Sequence, residues 1–158
     1  MLLAWSLFAA AVLHITEEFA FPGGFSGWYR AYKPAVTSSF TTRFAVWITV
    51  ALLALCANVA QAGQRPLAIA AWLAVAALLF SNAVFHMIGT WQTRRYSPGV
   101  ITGTLFYVPL AVYGYAHFIS TGKVSAGTAI ASFVIGASYH PLAYLNHLRR
   151  ARQATKKA

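Results

Sequence analysis

Residues 2–21 read LLAWSLFAAAVLHITEEFAF: an apolar run from Leu2 to Leu13 continues without a break into His14, Glu17 and Glu18. That length is what an α-helix needs to cross a hydrocarbon core of about 30 Å. Glu17 and Glu18 are the only two acidic residues in a chain of 158, against 12 Lys and Arg and a net charge of +10. A water-soluble protein spreads acids over its surface, and this chain keeps both of its acids inside one hydrophobic segment. An ionisable side chain there costs about 2.5–3.5 kcal/mol on insertion scales, so the pair is a functional candidate by default.

Outward from that segment the same character persists. The chain is 59% hydrophobic and 9% charged, with a mean hydropathy of +0.59 and a pI near 10.3. Five apolar segments follow one another, roughly 2–21, 43–62, 67–91, 98–119 and 125–147. Between them lie Pro22-Gly23-Gly24, Gly63-Gln64-Arg65-Pro66, Ser97-Pro98-Gly99 and Gly122. The expectation is an all-α integral membrane bundle of five transmembrane helices, one domain over residues 1–148 with a basic tail over 149–158. Ser97 and Pro98 read as an N-cap and first helical residue. Pro109 and Pro141 should kink their helices, since each removes a backbone donor. The N-terminus lacks the basic stretch of a signal peptide and reads as a mature helix. Cys56, the single cysteine, has no partner for an internal disulfide.

Cation placement sets orientation. Arg30, Lys33, Arg43, Arg94, Arg95, Arg149, Arg150, Arg152, Lys156 and Lys157 fall on one side of a five-span chain, and Arg65 and Lys123 on the other. By the positive-inside rule the N-terminus is outside and the C-terminus cytoplasmic, in a bacterial inner membrane. The cations sit at segment ends and form no patch, which argues against nucleic acid. The partners expected are the lipid bilayer and a lipid-like small molecule, and an oligomer is left open.

That topology brings the polar residues to one depth. His14, Glu17 and Glu18 lie near the cytoplasmic end of the first helix, His86 near that of the third and His140 near that of the fifth, while Thr102 and Thr104 open the fourth. His14, Glu17 and Glu18 are spaced i, i+3, i+4 on one face, Asn82 and His86 share a face, and His140, Tyr144 and His147 form a stripe. Two carboxylates in a low-dielectric layer repel each other unless a cation neutralises them. Imidazole with carboxylate suits zinc, or non-haem iron, better than calcium or magnesium. The expected ligands are His14, Glu18, His86 and His140, with Glu17 as general base and Asn82, Thr102 and Tyr144 as supporting residues. His117 lies near the outer end of its helix and falls outside this layer.

Competing readings use the same residues. The glutamates can pair with Arg43, Arg94 or Arg95; His86 and His140 can be hydrogen-bonded structural residues; His147 can be interfacial; Trp28, Tyr29, Tyr32, Trp91 and Tyr96 suit membrane anchors. The loop over 21–42 is long for a compact protein and is expected to lie along the interface and partly cover the site.

His14-Ile15-Thr16-Glu17-Glu18 is the string H-x-x-E-E. With Asn82-x-x-x-His86, the stretch Tyr96-Ser97-Pro98-Gly99-x-x-Thr102 and the late His140, it resembles the HXXEE-domain family of small multi-pass membrane proteins over nearly the whole chain. The resemblance implies metal binding or catalysis by His14, Glu17, Glu18, His86 and His140, and implies no substrate. The functional expectation is a membrane-embedded, metal-dependent enzyme acting on a lipid-like substrate, most simply a zinc hydrolase. Alternatives are a non-haem iron oxidative enzyme, a proton- or metal-coupled carrier that uses the same cluster as a relay, and a scaffold subunit.

Overall fold

The computed structural model describes residues 2–20 and 24–155, and every regular element in them is helical. Pro22 and Gly23 of the first punctuation, and Lys156 and Lys157 of the basic tail, lie outside the described residues. Helix α1 (Leu2–Ala20) is followed by α2 (Gly24–Tyr32), a short 3-10 turn (Pro34–Val36), α3 (Thr42–Gln61) and α4 (Pro66–Thr93). Then come α5 (Val100–Thr102), a π-turn (Gly103–Tyr107), α6 (Val108–Ser120), α7 (Ala126–Ala137) and α8 (Tyr139–Thr155).

Among the described residues three helices are long and apolar enough to cross a membrane: α1, α3 and α4. The fourth and fifth expected segments are helical but interrupted. Pro109 has no N–H to give to the carbonyl of Leu105, and the helix widens into the π-turn just before it. The fifth segment breaks at Ser138, three residues ahead of Pro141, which likewise cannot bond back to Ala137. Thr41 and Ser125 cap α3 and α7, their hydroxyls accepting from the N–H groups of Phe44 and Thr128.

Helix α4 is the centre of the bundle. At 28 residues it is about 42 Å long. It packs most extensively against α7, and also against α6, α3, α1 and the π-turn. The α4–α7 seam depends on Gly136: a Cβ there would lie 2.0 Å from the Ala74 carbonyl oxygen. Small residues permit such backbone approach where two helices cross. The core at this level is Leu7, Ala11, Cys56, Trp72, Leu73, Leu79 and Tyr107, all at most 4% exposed.

The connection over 24–41, read from sequence as a loop, is folded. Helix α2 packs on α1, and a second cluster of Tyr29, Val36, Phe40 and Ala45 ties it to α3 and α8.

Candidate functional site

Three side chains from two helices converge. His14 and Glu18, one turn apart on α1, meet His86 of α4, and one ligand atom from each lies within 4.8 Å of the others. His14 Nε2 is 3.5 Å and His86 Nε2 3.4 Å from the same oxygen, Glu18 Oε1. Neither Nε2 has a hydrogen-bond partner, and both histidines are at most 2% exposed. The ring centroids are 5.0 Å apart, edge to face.

The other nitrogen of each ring is held from behind. His86 Nδ1 is 2.8 Å from the Ser97 hydroxyl, and His14 Nδ1 is 3.0 Å from that of Thr102. Thr102 has one hydroxyl proton, and Oγ1 sits 2.5 Å from Glu17 Oε2. A carboxylate can only accept, so the proton goes to Glu17 and the hydroxyl oxygen accepts from His14 Nδ1–H. The chain Glu17–Thr102–His14 therefore leaves a lone pair on His14 Nε2, directed at Glu18. Metal-ligating histidines are oriented in this way by partners on their far nitrogen.

Glu17 turns away from the imidazoles, toward the start of α5. Its carboxylate accepts from the backbone N–H groups of Gly99 (2.9 Å), Ile101 (3.2 Å) and Thr102 (2.7 Å), and from the hydroxyls of Thr102 and Tyr96. These N–H groups are the unpaired donors that open α5, and a carboxylate is favoured at that end of a helix. Ser97, read from sequence as the N-cap, does not cap: the N-cap is Gly99, and Ser97 is turned onto His86. Desolvation, and then the contact with Glu17, raise the pKa of Tyr96 well above the ordinary tyrosine value.

Gly99 closes this side of the site. It has φ +103°, and a Cβ would lie 2.6 Å from His14 Cε1 and 2.9 Å from His86 Cε1. Tyr107, from the π-turn, lies against His14 with its ring tilted and the centroids 4.6 Å apart. Over His86 lie Phe25 at 5.3 Å and Trp28 at 6.1 Å, both from α2. The segment expected to cover the site does so, as a helix.

The remaining expected residues divide. Thr102 touches both Glu17 and His14. His140 does not join the three-donor set: its ring lies parallel to Phe85, 6.1 Å away, with Nε2 buried and unpartnered. Asn82, His140 and Tyr144 line a cavity of about 750 Å³ that also reaches His14 and Glu18. His147 turns to the Ser39 hydroxyl, 2.7 Å from its Nδ1. His117 stacks on Tyr113, away from the cluster. Among the described residues no Arg or Lys pairs with either glutamate.

Sequence reasoning missed the contacts of Gly99, Tyr107 and Phe25 with the imidazoles. The first is signalled by a Ser-Pro-Gly turn at a helix start. Tyr107 lies in an apolar segment and looks like ordinary core, and Phe25 lies in a stretch that reads as a loop.

The donor set fits a transition metal. Donors held about 2.0–2.1 Å from one tetrahedral ion lie about 3.3–3.4 Å apart, close to the 3.4 and 3.5 Å seen here. A direct charge-assisted hydrogen bond would be shorter, about 2.7–2.9 Å. Two imidazoles and one carboxylate also leave coordination positions free, as catalytic zinc and non-haem iron sites do.

The family of proteins of unknown function with an HXXEE motif matches residues 5–114, and the chain belongs to that family. No curated protein and no solved structure matches it.

Proposed function

We propose that this member of the HXXEE family is a five-span bacterial inner-membrane protein in which His14, Glu18 and His86 hold a divalent transition metal, zinc in the first instance. Its activity would be hydrolysis of an ester or amide bond in a lipid-like substrate. The observation that carries the reading is the convergence of two buried, unpartnered Nε2 atoms on one Glu18 oxygen at 3.4 and 3.5 Å. Membrane integration is supported by α3, whose mean hydropathy is 1.9 although only 22% of it is buried. Trp47 of α3 is 63% exposed and Ile135 of α7 67%, an arrangement that lipid rewards and water does not.

The metal would supply Lewis acidity and a low-pKa water. The residues divide the remaining work. His14 and His86 are fixed by Thr102 and Ser97, and Glu17 serves as a positioning residue because both of its oxygens are already committed. His140, with an unpartnered nitrogen on the wall of the same cavity, is the group we assign to proton transfer. In the step, the water oxygen bonds to the carbonyl carbon and its proton passes to His140. The carbon–heteroatom bond then breaks, and that proton goes to the leaving atom, giving an acid and an alcohol or amine.

Elemental analysis of the purified protein, with lipid extracts followed by mass spectrometry, tests this. One metal per chain is expected in the wild type, lost in Glu18→Ala and His86→Ala and kept in His117→Ala. His140→Ala should keep the metal and lose lipid turnover. Full metal retention in both Glu18→Ala and His86→Ala removes the centre. A metal-loaded wild type that leaves lipids unchanged but moves ions across liposomes, with loss of this transport in Glu18→Ala, replaces the hydrolase by the carrier.

A further inference from the structure

The cavity beside the site has two chemically different ends. Toward the middle of the bundle its wall is aliphatic: Ile48, Leu52 and Leu55 of α3 face Leu78 and Leu79 of α4. From Phe44 to Leu55, both on this wall, the lining follows α3 for about 16 Å. A volume of about 750 Å³ falls within the usual range for small-molecule sites and exceeds what a few waters need.

The opposite end is cationic. Lys33, just past α2, is the one Lys or Arg on the wall among the described residues. Its Nζ lies 4.1 Å from the ring centre of Tyr32 and 5.4 Å from that of Tyr144. Tyr32 is itself fixed by a hydrogen bond from its hydroxyl to Gln92 Oε1. Two aromatic faces hold an ammonium in place and leave its charge unneutralised. Neither carboxylate of the chain pairs with it, since Glu17 is bound to the start of α5 and Glu18 faces two imidazoles. His14, Glu18 and Asn82 lie on the wall of the same cavity.

We infer that the cavity binds a single-chain anionic amphiphile, its phosphate or carboxylate on Lys33 and its alkyl chain between α3 and α4. The bond next to the headgroup then lies along the His14–Glu18 wall. The inference rests on the metal-centre reading for what happens to that bond, while binding is independent of it.

The test uses full-length protein in maltoside micelles with radiolabelled dodecyl phosphate, and measures metal content on the same samples. One dodecyl phosphate per chain is expected, with dodecylphosphocholine at least tenfold weaker. Lys33→Glu should weaken dodecyl phosphate at least tenfold, and Lys33→Arg should restore most of the affinity. Ala51→Trp, which fills the apolar end, should abolish binding of both probes. Arg65→Glu makes the same charge change at the far end of α4 and should leave the affinity unchanged. Equal affinity for the two probes, or equal loss in Lys33→Glu and Arg65→Glu, overturns the inference. Lys33-dependent binding by a protein that holds no metal upholds it and removes the metal-centre reading instead. Metal retained in Lys33→Glu with dodecyl phosphate affinity unchanged does the reverse.

Discussion

The adjacent glutamates of the motif are separated by what each can reach. Successive residues on a helix point about 100° apart, so Glu18 faces the imidazoles while Glu17 faces the start of α5. Glu17 meets five donors there, three of them backbone N–H groups that the short helix cannot satisfy itself. Replacing it with Gln puts an amide N–H₂ against some of those donors, and hydrogen bonds to a charged group contribute about 1.5–3 kcal/mol each. Glu17→Gln is therefore expected to lower the unfolding midpoint and to weaken metal binding about 10–100-fold, the usual cost of disturbing a partner behind a ligating histidine. Thr102→Val removes the relay but leaves the carboxylate on the backbone donors, so it should weaken the metal with a smaller loss of stability. Competition against a chelator of known affinity, alongside thermal unfolding, separates the two. If Glu17→Gln matches wild type in both while losing turnover, Glu17 is a base and not a support.

The elements show which parts of this arrangement a sequence can carry. The apolar runs of α1, α3 and α4 declare themselves by length, and the i, i+4 spacing puts His14 and Glu18 on one face. The meeting with His86 follows from depth, because α1 and α4 run in the same direction and carry these residues near the same end. Two features resist such reading. His140 has the right depth but the wrong azimuth: the break at Ser138 resets the helix, and its ring ends on Phe85. Ser97 looks like a cap because Ser before Pro is a common helix start, yet a carboxylate from another helix takes that place and frees its hydroxyl for His86. Both are decided by contacts between elements, which local pattern does not encode. The turn before α5 exposes the same dependence. Gly99 holds φ +103° and lies against both rings, so Gly99→Ala combines backbone strain with a clash at the site. We expect a loss of about 1–3 kcal/mol in stability and metal content well below one per chain in the folded fraction. Gly136→Ala, with its clash at Ala74, should destabilise the α4–α7 seam while the folded fraction keeps its metal. Equal metal content in the two variants would show that Gly99 serves the fold alone.

At the scale of the molecule, the charge distribution and the position of the centre constrain each other. Glu18 lies two residues from the end of α1 and His86 seven from the end of α4, so the centre is within about 10 Å of those ends by helix rise. Those ends adjoin the connections that carry Arg30, Lys33, Arg94 and Arg95, and α8 ends in Arg149, Arg150 and Arg152. The five crossings we propose would put all of these on one face, with Arg65 and Lys123 opposite. Cations within about 15–20 residues of the membrane are retained on the cytoplasmic side. The anionic cytoplasmic surface would then attract the same amphiphile headgroups that Lys33 is placed to receive. A fluorescent-protein fusion after Ala158 should be bright, and an alkaline phosphatase fusion at the same place inactive. The opposite pair of results would turn the centre toward the periplasm. Its geometry would be untouched, but the substrate would have to arrive from the outer leaflet, where the basic face no longer meets an anionic surface. Three crossings, by α1, α3 and α4 alone, give a distinct outcome: the C-terminal fusion stays cytoplasmic while a fusion within residues 122–124 reports cytoplasmic as well. That result would leave α7 and α8 on the membrane surface, and the seam between α4 and α7 could not then be a contact inside the bilayer.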